Sequence, residues 1–111
     1  MKKDHFGLIA EYIAIFIYKL KFYQILYHRK RNFAGEIDLI ALRGKQLVFI
    51  EVKARSSDID EIILSFKQQS RIKKAAELFL CQNLKYQNYD VRFDLVIIRP
   101  YKLPVIIKNA W

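Results

Sequence analysis

The sequence predicts an α/β fold in which helices flank a mixed central sheet. Three observations predict it. Residues 4–20 are apolar on nearly every side, which is typical of a helix packed in a core. Residues 35–55 hold two runs rich in β-branched residues, separated by a turn. A second helix then begins near Ser65 and a strong strand covers 91–99, and this order favours helices layered on a sheet.

The composition limits the class of protein. A length of 111 residues fits one domain, predicted to span 1–111, and 53% hydrophobic residues exclude a disordered chain. The net charge of +9 favours a polyanion such as nucleic acid, but solubility or affinity for acidic lipid also accounts for it. The one cysteine, Cys81, excludes an internal disulfide and favours a cytoplasmic location. We expect it to pack in the core.

Two kinds of site are excluded by spacing. The histidines and the cysteine do not have the spacing of zinc ligands, and the isolated glycines do not form a phosphate-binding loop. We therefore expect no small-molecule cofactor.

The predicted hairpin brings acids together on one side of the sheet. Its turn lies around Gly44, and alternate side chains of a strand share a face. Asp38 then lies on one face with Glu36, and Glu51 lies on one face with Lys53. Asp38 and Glu51 can therefore converge, with Lys53 beside them.

This grouping suits metal-assisted phosphate chemistry. Two carboxylates repel unless a cation lies between them, and Mg²⁺ or Mn²⁺ takes such oxygen ligands. A bound ion polarises a phosphoryl oxygen and activates water, and Lys53 could orient that water or stabilise the phosphate. The alternative is a surface hairpin whose charges are solvated. We favour a site, because the charges interrupt strands that otherwise look buried on both faces.

These residues also resemble a known family. Asp38, followed 13 residues later by Glu51-Val52-Lys53, resembles the PD-(D/E)XK restriction-endonuclease-like superfamily. The strings Gly-Glu-Ile-Asp-Leu-Ile at 35–40 and Phe-Ile-Glu-Val-Lys-Ala-Arg at 49–55 resemble the small bacterial YraN-like family more closely. Further matches extend the resemblance from residue 7 to 98: Gly7, Glu11, Arg31, Asn32, Lys67, Gln68, Arg71, Ala75, Ala76, Arg92, Phe93 and Asp94.

The resemblance implies a restriction-endonuclease-like fold and a nuclease site. Asp38, Glu51 and Lys53 would be the catalytic residues. Asp38, Glu51 and the backbone carbonyl of Val52 would bind Mg²⁺ or Mn²⁺, with Glu11 as an additional candidate ligand. The resemblance indicates fold and site more firmly than substrate.

The first predicted helix carries one anomaly. Asp4 is its candidate N-cap, and its apolar run is too short to span a membrane. Glu11 interrupts this run, and a charged carboxylate there is costly unless it is paired or binds a metal. Glu11 therefore lies either on a wet edge or toward the acidic site. Where the family often has a glycine after this helix, the chain has Lys21-Phe22, which leaves the turn geometry open.

A basic segment follows the first predicted strand, which covers 23–28. We predict a turn at 28–32, either solvated or in contact with phosphate at the mouth of the site. The cations of this segment, and the arginine at the end of the predicted hairpin, are predicted to contact nucleic acid: Arg29, Lys30, Arg31 and Arg55.

The second helix follows a polar loop at 56–60 and an ambiguous segment at 61–64. Ser65 and Gln68 have the spacing of a capping box. The predicted buried face consists of Ile72, Ala75, Ala76, Phe79 and Leu80. Another face carries Lys67, Arg71 and Lys74, which either are merely solvated or contact phosphates. Gln68 lies nearer the apolar side and could reach the site.

The remaining elements complete the sheet. A loop is predicted at 83–89 and a short edge strand at 105–107, and Trp111 is expected to cover the core. Asp94 interrupts the strand at 91–99, where we expect a structural or edge role. The first three strands should be antiparallel neighbours, and the strand after the second helix should join in parallel through a right-handed crossover.

Three functions compete at this point. The leading hypothesis is a metal-dependent nuclease that hydrolyses phosphodiester bonds, with DNA as the expected partner. Because no base-reading motif is visible, we expect recognition of nucleic-acid structure rather than of sequence. The alternative is a nucleic-acid-binding module on the same fold without catalysis. A third class is a protein-interaction or membrane-surface protein, based on the apolar first helix. The sequence leaves oligomeric state open.

Overall fold

The fold has two helices on opposite faces of a five-stranded sheet. It is seen in a computed structural model that describes residues 5–55 and 64–111. The helices are α1 (His5–Leu20) and α2 (Phe66–Gln82). The strands are β1 (Gln24–Asn32), β2 (Gly35–Arg43), β3 (Gln46–Ala54), β4 (Asp90–Ile98) and β5 (Val105–Ile107). The predicted cap at Asp4 and the loop at 56–60, with most of the ambiguous segment 61–64, lie outside the described residues.

The strand order matches the predicted mixed sheet. The strands follow one another as β1-β2-β3-β4-β5. The first three are antiparallel neighbours, β4 joins β3 in parallel, and β5 pairs antiparallel with β4. The α/β fold class is therefore confirmed, and the arrangement is consistent with the restriction-endonuclease-like fold.

The two faces of the sheet pack against different helices. Small residues of α1, Ala10 and Ala14, lie against the face that carries Val48, Ile50 and Val52. The opposite face packs on α2 through the predicted buried residues Ile72, Ala75, Ala76 and Phe79, and Leu80 is partly buried beside them. Burial on both faces explains the nearly continuous apolar run of β3.

Helix α1 is a core helix, as predicted, but its outer side is also apolar. Among its described residues, the exposed large apolar side chains are Ile9, Tyr12, Phe16 and Leu20. In the described parts of the chain, neither helix combines the length and the apolar character that crossing a membrane requires.

A left-handed residue ends α1. The N–H of Phe22 donates to the carbonyl of Lys19 (3.0 Å), and that of Tyr23 donates to the carbonyl of Tyr18 (3.0 Å). These two bonds form a Schellman motif, in which the residue at the position of Phe22 is usually glycine. Phe22 adopts φ 68° there. The turn that the sequence left open thus keeps the geometry typical of glycine.

Two sequence predictions are wrong. Residues 28–32 do not form a turn, because they are the second half of β1. β1 is an edge strand, where charged side chains discourage pairing with another sheet, so a basic sequence is compatible with it. Cys81 is exposed rather than in the core.

The last elements follow the predictions closely. The segment 83–89 contains a short 3₁₀ helix, Leu84–Tyr86. β5 is the expected short edge strand, and the ring of Trp111 packs against that of Phe93, with centroids 5.5 Å apart.

Candidate functional site

The site lies where β2 and β3 separate. Their ladder ends at the pair Leu39 and Ile50. Beyond it, the Val52 N–H donates to the Oδ2 of Asp38 (2.9 Å), so a side chain replaces the backbone partner. Asp38 is 6% exposed. The end of the ladder therefore positions one acid against the backbone of the neighbouring strand.

Strict alternation also breaks at this point. Ile37 and Ile40 both pack on the α2 side, although residues three apart on a regular strand face opposite sides. The break lies opposite Arg29, which has φ 63°, and the paired residues on either side of Arg29 keep one register with β2. The irregularity of both strands sets the direction in which Asp38 points.

Glu51 meets Asp38 as the sequence predicted. Its carboxyl is mostly buried, and Lys53 Nζ lies 3.4 Å from its Oε2. Burial raises the pKa of Glu51 to about 8, assisted by the negative charge of Asp38, while Lys53 opposes the shift. In its protonated form Glu51 also hydrogen-bonds to Asp38. The carboxyl of Glu51 therefore favours its protonated form at neutral pH.

Such a pair fits a hard divalent cation. A cation would relieve the repulsion that raises the pKa of Glu51, and Mg²⁺ is held by this kind of oxygen donor. The N–H and C=O of one strand residue point to the same side, so the Val52 carbonyl also faces β2. Within 5–55 and 64–111, no group of three or more His, Cys, Asp or Glu side chains is arranged to hold a metal.

Glu11 faces the sheet and not a wet edge. It is fully buried, and its Oε1 accepts from Nε of Arg29 (2.9 Å) and lies 2.7 Å from Nε2 of His28. The ring of Tyr12 packs edge-on against His28, with centroids 5.3 Å apart. The structure thus gives Glu11 a role in anchoring β1 to α1. Its role as a metal ligand stays a prediction.

Arg29 connects this buried acid to the site. The hydrogen bond to Glu11 raises the pKa of Arg29, and the charges of Glu11, Glu36 and Asp38 add to the effect. Its left-handed backbone directs it to the α1 side of the sheet. Arg29, predicted to contact nucleic acid, therefore lies in the field of the site acids.

The other predicted cations of the hairpin region are spread along its edge. Lys30 Nζ lies over the ring of Tyr27, 4.5 Å from its centroid, and Arg31 pairs with Glu36 (3.3 Å) at the surface. Arg55 is exposed just after β3 and donates to the carbonyl of Ala54 (2.8 Å).

The predicted cations of α2 do lie together. Lys67, Arg71 and Lys74 line an open groove of about 670 Å³, here named the α2 groove, whose other described lining residues are Ala34, Phe66 and Ser70. Gln68 is not directed into the site, because its side chain accepts from Ser65 N–H (3.4 Å) and completes the predicted capping box.

A second fully buried acid, Asp94, is structural, as expected, although β4 is an inner strand. Asp94 accepts from the hydroxyl of Tyr18 (2.7 Å), from Nε of Arg92 (2.8 Å) and from the N–H of Asn109 (3.1 Å). Arg92 also donates to the hydroxyl of Tyr23 (2.9 Å). Sequence reasoning missed this network. The signal available was an acid and a base on one face of an apolar strand.

Comparison with known proteins identifies the family of the chain. Residues 10–98 match the model of the Uncharacterised protein family UPF0102. A UPF0102 protein of Ehrlichia ruminantium is 42% identical over 105 residues, which is 95% of this chain and 82% of the relative. One from Mesorhizobium japonicum is 40% identical over 106 residues, covering 95% and 85%. One from Chelativorans is 41% identical over 112 residues, covering 99% and 87%.

These relatives cover nearly the whole chain, and their names state a family without an activity. The matched segment includes both hairpin acids, Asp38 and Glu51. The chain therefore belongs to the UPF0102 family, the YraN-like proteins recognised in its sequence.

Proposed function

We propose that this protein is a metal-dependent nuclease that hydrolyses phosphodiester bonds in DNA. The observation that carries the proposal is the contact between two mostly buried carboxyls, Asp38 and Glu51, with Lys53 Nζ 3.4 Å from Glu51. A core gains no stability from two acids in contact, since one of them must stay protonated. Strongly perturbed pKa values of groups in contact with a second charge cluster at functional sites.

The residues have separate roles in this proposal. Asp38, Glu51 and the Val52 carbonyl would hold Mg²⁺ or Mn²⁺. When bound, the ion supplies Lewis-acid activation of a phosphoryl oxygen and of water. Lys53 provides a positive charge at the same place, where it orients the attacking water or stabilises charge on the phosphate. Glu11 binds Arg29, whose charge interacts with that of Asp38, and in this proposal Arg29 would be a further cation for the substrate phosphate.

The charge of the molecule supports a polyanionic substrate. The chain carries +9 at neutral pH, and the cations of the α2 groove and of β1 are on the surface. Phosphate contacts of this kind give affinity without reading base sequence, so we expect selection of DNA by its structure.

The test is cleavage of labelled single-stranded, duplex and branched DNA with and without Mg²⁺ or Mn²⁺. The parent protein should cleave at least one of these DNAs when the metal is present and none of them when it is absent. Glu51→Gln should lower cleavage by orders of magnitude because it removes a metal-binding charge, while binding of DNA is kept or tightened. Lys53→Ala should also abolish cleavage, with binding level or weaker.

Glu77→Gln is the matched control, since Glu77 is an exposed acid of α2. It should cleave like the parent. If purified Glu51→Gln protein cleaves DNA as fast as the parent, these residue assignments are wrong. Binding without metal-dependent cleavage of any substrate would leave the alternative, a binding module on the same fold.

A further inference from the structure

We propose that the α2 groove binds unpaired nucleotides, with Phe66 stacking on a base. The proposal rests on the nuclease function above and names its substrate class: DNA with a single-stranded part next to the cleavage site. Three features carry the inference, namely the exposed phenylalanines at the groove and beside it, the charge of the groove and its rigid wall.

Two exposed phenylalanines lie at the groove and beside it. Phe66, at the start of α2, lines the groove and is 86% exposed, and Phe33, next to the groove residue Ala34, is fully exposed. An exposed phenylalanine side chain does not stabilise the fold by burial. A base stacked on an aromatic ring, however, contributes binding affinity whatever the base sequence. In a stacked duplex the base faces are already covered, so an exposed ring selects unpaired nucleotides.

The charge of the groove supplies the second half of a nucleotide site. The charged side chains among its described lining residues, Lys67, Arg71 and Lys74, are all cations. They recur along one face of α2 beginning next to Phe66, so phosphates can follow the helix while bases turn toward the ring. Its volume of about 670 Å³ lies within the usual range for a ligand site.

The wall opposite α2 is held rigidly. Asn32 Nδ2 donates to the Ala75 carbonyl (2.9 Å), and its Oδ1 accepts from Ala34 N–H (3.0 Å), so the β1–β2 turn is attached to α2. At Gly35, with φ 155°, an added Cβ would lie 3.1 Å from Arg71 Cγ. The glycine therefore lets the stem of Arg71 cross the start of β2.

This wall continues directly into the acidic site. Asp38 follows Gly35 by three residues on β2, a separation of roughly 10 Å at the rise of a strand. A strand held in the α2 groove would therefore arrive beside the carboxyls within a few nucleotides. A DNA with a single-stranded tail beside a duplex would place its junction near Asp38.

The experiment measures binding without hydrolysis, so that it does not depend on the chemistry. Fluorescence anisotropy in EDTA compares single-stranded DNA, a blunt duplex and a duplex with a single-stranded tail. We expect the parent to bind the tailed and single-stranded forms more tightly than the blunt duplex. Phe66→Ala should weaken single-strand binding by about 5- to 150-fold, the effect of removing one stacked base, and leave blunt-duplex binding unchanged.

Phe22→Ala is the matched control, because Phe22 is equally exposed, at 86%, and lies after α1. It should bind all three DNAs like the parent. Phe66→Trp should restore binding, and its added fluorescence should be quenched by single-stranded DNA, with the parent and its one tryptophan, Trp111, as the baseline.

Equal binding of single-stranded DNA by the parent and Phe66→Ala, or equal losses in Phe66→Ala and Phe22→Ala, would overturn the proposal. Equal parent affinity for blunt and tailed duplexes would overturn it as well. If Phe66→Ala binds normally while metal-dependent cleavage persists, the groove proposal fails and the nuclease stands. If the binding pattern holds but no DNA is cleaved, the nuclease fails and the groove stands.

Discussion

Phe22 keeps a backbone conformation that disfavours its own side chain. A non-glycine residue in the left-handed region costs about 1–2 kcal/mol, and the side chain of Phe22 is too exposed to recover this by packing. The Schellman bonds of Tyr23 and the contact between the Tyr18 and Tyr23 rings, 5.2 Å between centroids, hold the turn in place.

Phe22→Gly should therefore stabilise the protein. We expect the free energy of unfolding to rise by about 1 kcal/mol, somewhat offset by the greater freedom of glycine in the unfolded chain. Chemical denaturation measures it. Gly44→Ala, at the hairpin turn with φ 61°, is the reverse control and should destabilise. A lower stability of Phe22→Gly would mean that the exposed ring makes a contribution of its own.

Glu51 makes the stability of the metal-free protein depend on pH. Its pKa rises from 4.5 to about 8 on folding, so the folded state holds a proton that the unfolded state releases. This contribution is fully present below about pH 4.5 and is lost as the pH rises to about 8. We compare the free energy of unfolding of Glu51→Gln with that of the parent at each pH. The difference in favour of the variant should be larger at about pH 9 than at about pH 5, by on the order of 1–3 kcal/mol.

Thermal unfolding in EDTA at the two pH values measures this difference. Mg²⁺ should raise the melting temperature of the parent, and more so at the higher pH, because the cation competes with the proton. The Glu51→Gln protein should show a smaller response. The same stability difference at both pH values would show that burial does not control the protonation of Glu51.

At the scale of elements, β4 is anchored to α1 and to the chain after β5 through one buried carboxylate. Asp94 is fully buried and binds Tyr18, Arg92 and Asn109. Burial, with the hydrogen bond to Asp94, raises the pKa of Tyr18, and the hydrogen bond to Asp94 raises that of Arg92. These partners come from three separate segments of the chain.

Asp94→Ala should therefore destabilise strongly. Removing one partner of a buried charge pair leaves the other uncompensated, and we expect a loss of about 3–5 kcal/mol in the free energy of unfolding. Asp90→Ala, on the exposed start of the same strand, should stay within about 0.5 kcal/mol of the parent. Chemical denaturation of both variants measures the difference, and similar small losses would mean that the network is not needed for stability.

The elements also show what sequence reasoning could reach. Alternation within a hairpin is local and predicted that Asp38 and Glu51 would meet, but the break in alternation that sets the direction of Asp38 was not predictable from the sequence. The extension of β1 through Asn32 was not, because a charged segment becomes a strand only where an edge is available to it. The bonds of Glu11 depend on the left-handed Arg29, whose conformation is determined by neighbours on another strand.

The α2 groove was only half predictable. Helical spacing alone is enough to bring Lys67, Arg71 and Lys74 together. Phe66 has no periodic partner in the sequence, and its position in the groove depends on how the β1–β2 turn docks on α2. The prediction for Cys81 was wrong for a different reason: Cys81 follows the buried Ile72 by nine residues, about 180° around a regular helix, so its spacing already places it opposite the buried face.

At the scale of the whole molecule, the positive charge should appear as salt dependence. Affinity for DNA should fall as salt rises, and replacing Lys67, Arg71 and Lys74 together by alanine should lower the slope by about one unit for each phosphate that the variant no longer binds. Titrations at several salt concentrations measure it.

The control for this triple variant removes three exposed lysines elsewhere on the surface: Lys19, Lys21 and Lys102. It has the same net charge as the groove variant, and we expect its slope to change less. An unchanged slope in the groove variant would place the phosphate contacts elsewhere, for instance on the charged half of β1, from Arg29 to Arg31.

The topology of the sheet also orders events in time. The β2–β3 hairpin closes through a two-residue turn, whereas the parallel pairing of Gln46 with Asp90 must wait for a long loop to close. We therefore expect Asp38 and Glu51 to meet while water still surrounds them, and their repulsion to become costly only when the helices cover the sheet. At neutral pH we expect completion of the core to take up a proton from solvent, so that a pH indicator would register the last step of folding.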